Sequence, residues 1–184
     1  MDADKFIQEA TDPNAWLKKA LSLRESADAV WGLFGQKFVH GEFENAYPIC
    51  HTSQFLYGLA VECLLKGLII KQAPGSISIS AFIDGNGDLV DAEIKKIGEK
   101  VRDTHNLEKL AEAAGLFDEG ENETIRELLA YTTHCIKWRG RYPIPLQAQA
   151  DFIPRGKLHY KEFGHYFRDI MDPFLENLFN KFKS

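Results

Sequence analysis

Glu62 and Lys66 stand four residues apart inside Phe55–Ile70, FLYGLAVECLLKGLII, a run that is otherwise almost wholly apolar. That spacing puts both on one face of a helix, one turn from each other. Leu59, Cys63 and Ile70 continue the apolar surface around them, so a central helix would carry both charges toward the interior. Charges there need partners, and such a pair is either a structural device or part of a polar site. Arg24 is the third candidate for this buried polar cluster, because it stands where another apolar stripe calls for an apolar residue. The competing reading is that Arg24 snorkels off the edge of that stripe.

A second set of residues suits phosphate and base recognition. Lys137, Trp138, Arg139, Arg141 and Tyr142 fall within KWRGRY. Arginine gives planar, two-pronged phosphate contacts, and Trp or Tyr can stack on a base. Gly140 lets the backbone approach closely. The alternative is a packed loop, with the aromatics beneath it and the arginines paired with acids. His134 lies one turn before Trp138. An imidazole there could act as acid or base in RNA cleavage, with Arg139 or Arg141 stabilising the charge that develops on phosphorus. His105, next to Thr104 at a helix start, reads as a brace. The His and Cys residues lack metal-ligand spacing, and no cofactor is called for. Asp84, Asn86 and Asp88 imitate the start of a calcium loop, but Leu89 and Lys95 occupy the positions that need Gly and Glu.

The chain's charge is unevenly spread. Its net charge is −5, yet residues 137–161 hold six Lys or Arg against the single acid Asp151, so that segment is +5 and the remainder −10. One basic region on an acidic body is what local anion recognition requires. With 184 residues and 45% apolar content the chain fits one domain, 1–184, with a sizeable core. Cys50, Cys63 and Cys135 form no CxxC pattern and read as free thiols in a reducing compartment. The acidic N-terminus lacks the apolar core of a signal peptide. Residues 55–70 are short for a membrane span and carry two charges near the middle. A cytoplasmic protein with no membrane association is expected.

The elements that must position these groups are mainly helical. Asp12-Pro13 is a strong helix start. Leu17, Ala20, Ala27, Trp31, Phe34 and Phe38 then recur at spacings of three and four, an amphipathic helix of about seven turns. Gly41–Pro48 reads as a connection and His51–Gln72 as the second helix. Asn86-Gly87 within an alternating stretch predicts a small hairpin near 76–90. A short helix is expected over 92–101, another capped by Thr104 and ending near Gly115. A further helix runs from Glu121 to Arg139, with Ile125, Leu128, Leu129, Thr132 and Ile136 on one face. A long loop follows near 141–156. Tyr160–Phe182 is the last helix, in which Pro173 should introduce a kink or a new segment. The fold class expected is all-α, an up-and-down bundle of four long helices with shorter connecting helices.

YGLAVECLLKGLI (57–69), HNLEKL (105–110) and WRGRYPIP (138–145) together resemble, in order and kind, the HEPN domains of higher eukaryotes and prokaryotes. The resemblance covers about residues 14–180. It implies a helical bundle that dimerises and binds nucleotide or RNA, often within toxin–antitoxin or defence systems. Partners implied are a second copy and a nucleotidyltransferase or antitoxin. Many members are metal-independent endoribonucleases that carry an Arg and a His with four to six residues between them. Here seven residues separate Arg126 from His134, three separate Arg155 from His159, and two separate Arg102 from His105. That departure turns the expectation from cleavage toward binding. A non-catalytic, partner-binding helical module is the further alternative.

Overall fold

The computed structural model describes residues 2–98, 105–117, 122–139 and 160–184. Within them the chain is mostly helical, with six α-helices and one two-stranded sheet. Helix α1, Ala3–Thr11, is an addition to the expected elements. Asp2 caps it, accepting the Lys5 N–H at 2.7 Å. The Trp16 indole N–H donates to the Ala10 carbonyl at 2.9 Å and ties α1 to the next helix.

That helix, α2, spans Pro13–Val39 and starts as expected, with Pro13 in its first turn and Asp12 accepting the Asn14 N–H at 2.9 Å. Helix α3 spans Phe43–Gln72, so it begins well before the expected His51. Pro48 sits inside it and cannot donate to the Glu44 carbonyl. Glu44 is exposed, so water can satisfy that carbonyl and the helix survives the proline. The turn between α2 and α3 passes through Gly41 at φ 77°, a conformation that favours glycine.

The expected hairpin is present as strands β1 (Ile77–Ile83) and β2 (Leu89–Ile97), which pair antiparallel. The short helix expected over 92–101 is corrected for its described part, because residues 92–97 belong to β2. Ile94 pairs with Ile79, and Ile97 pairs with Ile77 and is buried, so cross-strand packing overrides the helix-like spacing. The Asp84 carboxylate accepts the N–H groups of Asn86 (2.8 Å) and Asp88 (2.9 Å) within its own turn. The backbone bond from Asp88, then that from Asn86, hold its pKa below the usual carboxylate range.

Helix α4 is Leu107–Ala113. Its cap is Asn106, which accepts the Lys109 N–H at 3.0 Å, while Thr104 lies outside the described residues. Helix α5, Glu123–His134, is capped by Asn122 and passes into a π-helical turn, Cys135–Arg139. Helix α6, Tyr160–Lys183, continues through Pro173 without starting a new segment. The fourth long helix expected, Glu121 to Arg139, is present among the described residues as α5 with its π-helical extension to Arg139. The loop expected near 141–156 lies outside the described residues.

Helix α3 is the spine. Tyr57, Val61, Leu64, Leu65 and Leu68 are buried among Leu107, Leu110, Leu128, Phe167, Leu175 and Leu178. By length and composition α3 alone among the described helices could cross a membrane, but most of its apolar window is buried by neighbouring elements. Two glycines let those neighbours come close. A Cβ on Gly58 would sit 2.5 Å from Ile136 Cγ2 and 2.9 Å from Thr132 Cγ2, and one on Gly67 would sit 3.0 Å from Trp16 Cβ. At Gly32 on α2 a Cβ meets nothing within 4 Å. Gly58→Ala is expected to destabilise by about 1 kcal/mol, overpacking outweighing the helix-propensity gain. Gly32→Ala should stabilise by roughly 0.5 kcal/mol. Urea unfolding of the two variants checks the opposite signs, and equal shifts would refute the close approach.

Candidate functional site

Burial of the central stretch of α3 puts Glu62 and Lys66 inside the fold at 6% and 7% exposure. One Glu62 oxygen lies 2.5 Å from the Lys66 ammonium, and the other lies 3.0 Å from His105 Nδ1. The ammonium also sits 5.7 Å from the centre of the Trp16 ring. Both carboxylate oxygens are thus engaged, and Glu62 acts as a brace that holds Lys66 and orients His105, whose side chain is half-exposed. Cys63 lies beside the pair. Burial, then the Glu62 charge, push its thiol up to about 11, so it stays protonated at neutral pH.

Arg24 does not join this cluster. Its guanidinium reaches Glu176 on α6 at 2.6 Å and lies 5.4 Å from the centre of the Phe179 ring. A long side chain at the edge of the α2 stripe reaches an acid on the neighbouring helix without crossing the core. The place expected for Arg24 is taken by His105, which is 43 residues from Glu62 in sequence.

A second polar network joins α2, α3 and α6. Arg168 NH1 lies 2.9 Å from Asp28 Oδ1, Arg168 Nε lies 2.8 Å from both Asp172 oxygens, and the Tyr57 hydroxyl donates to Asp28. The guanidinium lies 5.0 Å from the centre of the Tyr57 ring. Burial works against its charge, but the Asp172 hydrogen bond, with Tyr57 and Asp28, outweighs burial and raises its pKa. Burial and then the Asp28 hydrogen bond push the Tyr57 phenol far above its ordinary value. Sequence reasoning misses this network. Its available signal is the spacing of four in Arg24/Asp28 and in Arg168/Asp172/Glu176.

The basic candidates lie at the C-terminal end of α5. The π-helical turn packs on α3 with Cys135 and Ile136 buried, His134 half-buried and Lys137 exposed. Trp138 and Arg139 close the turn with their backbones. Their side chains, and Arg141 and Tyr142 entirely, lie outside the described residues. Leu107 N–H donates to Thr133 Oγ1 at 3.0 Å, which sets the start of α4, two residues after His105, beside the last turn of α5. His105 and the basic turn therefore share one end of the fold. Arg126 is turned elsewhere, to Glu108 at 2.9 Å and Glu112 at 2.8 Å.

A cleft of about 560 Å³ lies at the opposite end of α5, between Leu116, Phe117 and Ile125 on one wall and Ile170 and Phe174 on the other. None of the expected site residues line it. Among the described residues no three His, Cys, Asp or Glu side chains are grouped to hold a metal ion. Comparison with protein-family models, curated proteins and solved structures finds no match to this chain.

Proposed function

We infer that this chain is a cytoplasmic HEPN-like helical domain that binds nucleotide or RNA through the basic face beginning at Lys137. The observation that carries this reading is the π-helical turn 135–139, anchored on α3 by Cys135 and Ile136, which leaves Lys137 exposed where the +5 segment begins. π-Turns are rare and are frequent at functional sites. Glu62, itself fixed by Lys66, orients His105 beside that end of α5. Binding is favoured over cleavage, because no Arg–His pair has the ribonuclease spacing and Arg126 is held by two glutamates. The reading includes a two-fold dimer of helical bundles and a role within a toxin–antitoxin or defence system, with a nucleotidyltransferase or antitoxin as partner.

Replacing Arg139 and Arg141 together by Ala is expected to weaken binding to a labelled single-stranded RNA or to ATP by about tenfold or more, with helicity unchanged. For single-stranded RNA, the slope of log affinity against log salt should fall by roughly 0.7 for each phosphate that the variant no longer neutralises. Unchanged affinity would move the site away from this face, and unfolding of the variant would make the arginines structural. Release of cut RNA by the parent protein without added metal would favour the endoribonuclease reading.

A further inference from the structure

We propose that the outer edge of β1 is an interface for a second copy of this chain, with the two β1 strands pairing antiparallel about a two-fold axis into a four-stranded sheet. The hairpin's edges are protected unequally. β2 carries Asp91, Glu93, Lys95 and Lys96. The register also shifts twice along the pair, between Ser78 and Ile79 and between Phe82 and Ile83, and each shift leaves an extra residue in β2, first Lys95 and then Val90. Charges and bulges are the devices that keep an edge strand from pairing with another chain.

β1, ISISAFI, has no charged residue, no proline and no inserted residue. β2 pairs with one of its edges, and among the described residues no backbone group of Ile77–Ile83 bonds to anything else. Helix α1 packs against β2. Phe82, Ile83 and Val90 are exposed toward the tip. The base of the hairpin packs on the core through Ile77, Ile94 and Ile97, while its tip has only two strands to support it, and added strands are the ordinary remedy for a two-stranded sheet.

The strand favours its own copy as occupant. Antiparallel pairing about Ser80 sets Ser80 against Ser80, Ile79 against Ala81, Ser78 against Phe82 and Ile77 against Ile83. No like charges meet, and each residue keeps its face because the pairing preserves the two-residue alternation. An uncharged strand can pair with itself without electrostatic repulsion, whereas β2 would bring its own charges together. This interface gives a location to the dimer in the reading above and does not depend on nucleic-acid binding.

The experiment combines light scattering with cysteine cross-linking, the parent carrying only the thiols of Cys50, Cys63 and Cys135 as background. The parent is expected at twice its 20.9-kDa chain mass at micromolar concentration. Ala81→Lys, which puts a charge on the β1 strand, should give the single-chain mass with an unchanged circular dichroism spectrum. Mild oxidation should link Ser80→Cys into a covalent dimer at least about tenfold faster than Ser78→Cys, since only residue 80 faces itself across the axis. If Ala81→Lys disturbs the hairpin itself, the two cysteine variants decide. A parent at single-chain mass overturns both the edge and the dimer. A dimer that survives Ala81→Lys, or links equally through both cysteines, overturns the edge alone.

Discussion

Glu62→Ala should lower the stability of this protein by about 3 kcal/mol, while Glu93→Ala on β2 should change it by no more than roughly 0.5 kcal/mol. The two glutamates differ in what depends on them. Glu62 is the carboxylate that neutralises Lys66, and Lys66 is 7% exposed, so the variant leaves an ammonium inside the fold whose remaining charge contact among the described residues is the face of the Trp16 ring. Removing one member of a buried pair costs more than the pair was worth, because the survivor remains desolvated and unpaired. Glu93 pairs with Lys95 on an exposed strand, where both partners are well hydrated. For a chain of this length the Glu62 loss corresponds to a fall in melting temperature of about 6–12 °C. Glu62→Gln should recover part of it by keeping an oxygen for Lys66 and His105. Equal melting temperatures for the Glu62 and Glu93 variants would show that water reaches Lys66 and that the cluster is not buried.

The half of this cluster that is legible in the sequence is the half that helix geometry supplies. A spacing of four within an apolar run is enough to bring Glu62 to Lys66, whatever the rest of the chain does. His105 arrives from another element, and no local rule connects residues 43 apart. Arg24 shows the opposite error: its place in the apolar stripe is visible, but the acid that draws it outward, Glu176, belongs to α6. The same division holds for the fold. Asp12-Pro13 marks the start of α2 and Asn86-Gly87 marks the hairpin turn, because caps and turns are local chemistry. The outgoing strand β2 mimics a helix in sequence, since its isoleucines at 94 and 97 have helical spacing and only pairing with Ile79 and Ile77 selects the extended form. Pro48 and Pro173 weigh less as breakers than their residue type suggests. Each removes one helical bond, and packing along the rest of α3 and α6 outweighs that single loss.

Arg168→Ala should cost about 2 kcal/mol, a fall of roughly 4–8 °C in melting temperature. Arg168 bonds at once to Asp28 from α2 and to Asp172 from its own helix, and its plane lies near the rings of Tyr57 and Trp31. The expected loss is smaller than for Glu62 because Asp28 and Asp172 are each partly exposed and water relieves part of it. Three effects still add in one direction. The variant leaves Asp28 and Asp172 without their shared cation. It removes the guanidinium from the aromatic faces, and it opens space beside Phe167, which packs among Trp31, Tyr57 and Tyr131. Arg168→Lys should recover no more than about half, because a single ammonium cannot make the two-pronged contact to Asp172 and reach Asp28 as well. The decisive measurement is a double-mutant cycle with Asp28→Ala. If Arg168 clamps α6 to α2, the combined effect should fall short of additivity by about 1 kcal/mol. Strict additivity would mean that the residues stabilise the fold separately. Helix α6 would then be held by its apolar face alone, through Phe167, Met171, Leu175 and Leu178.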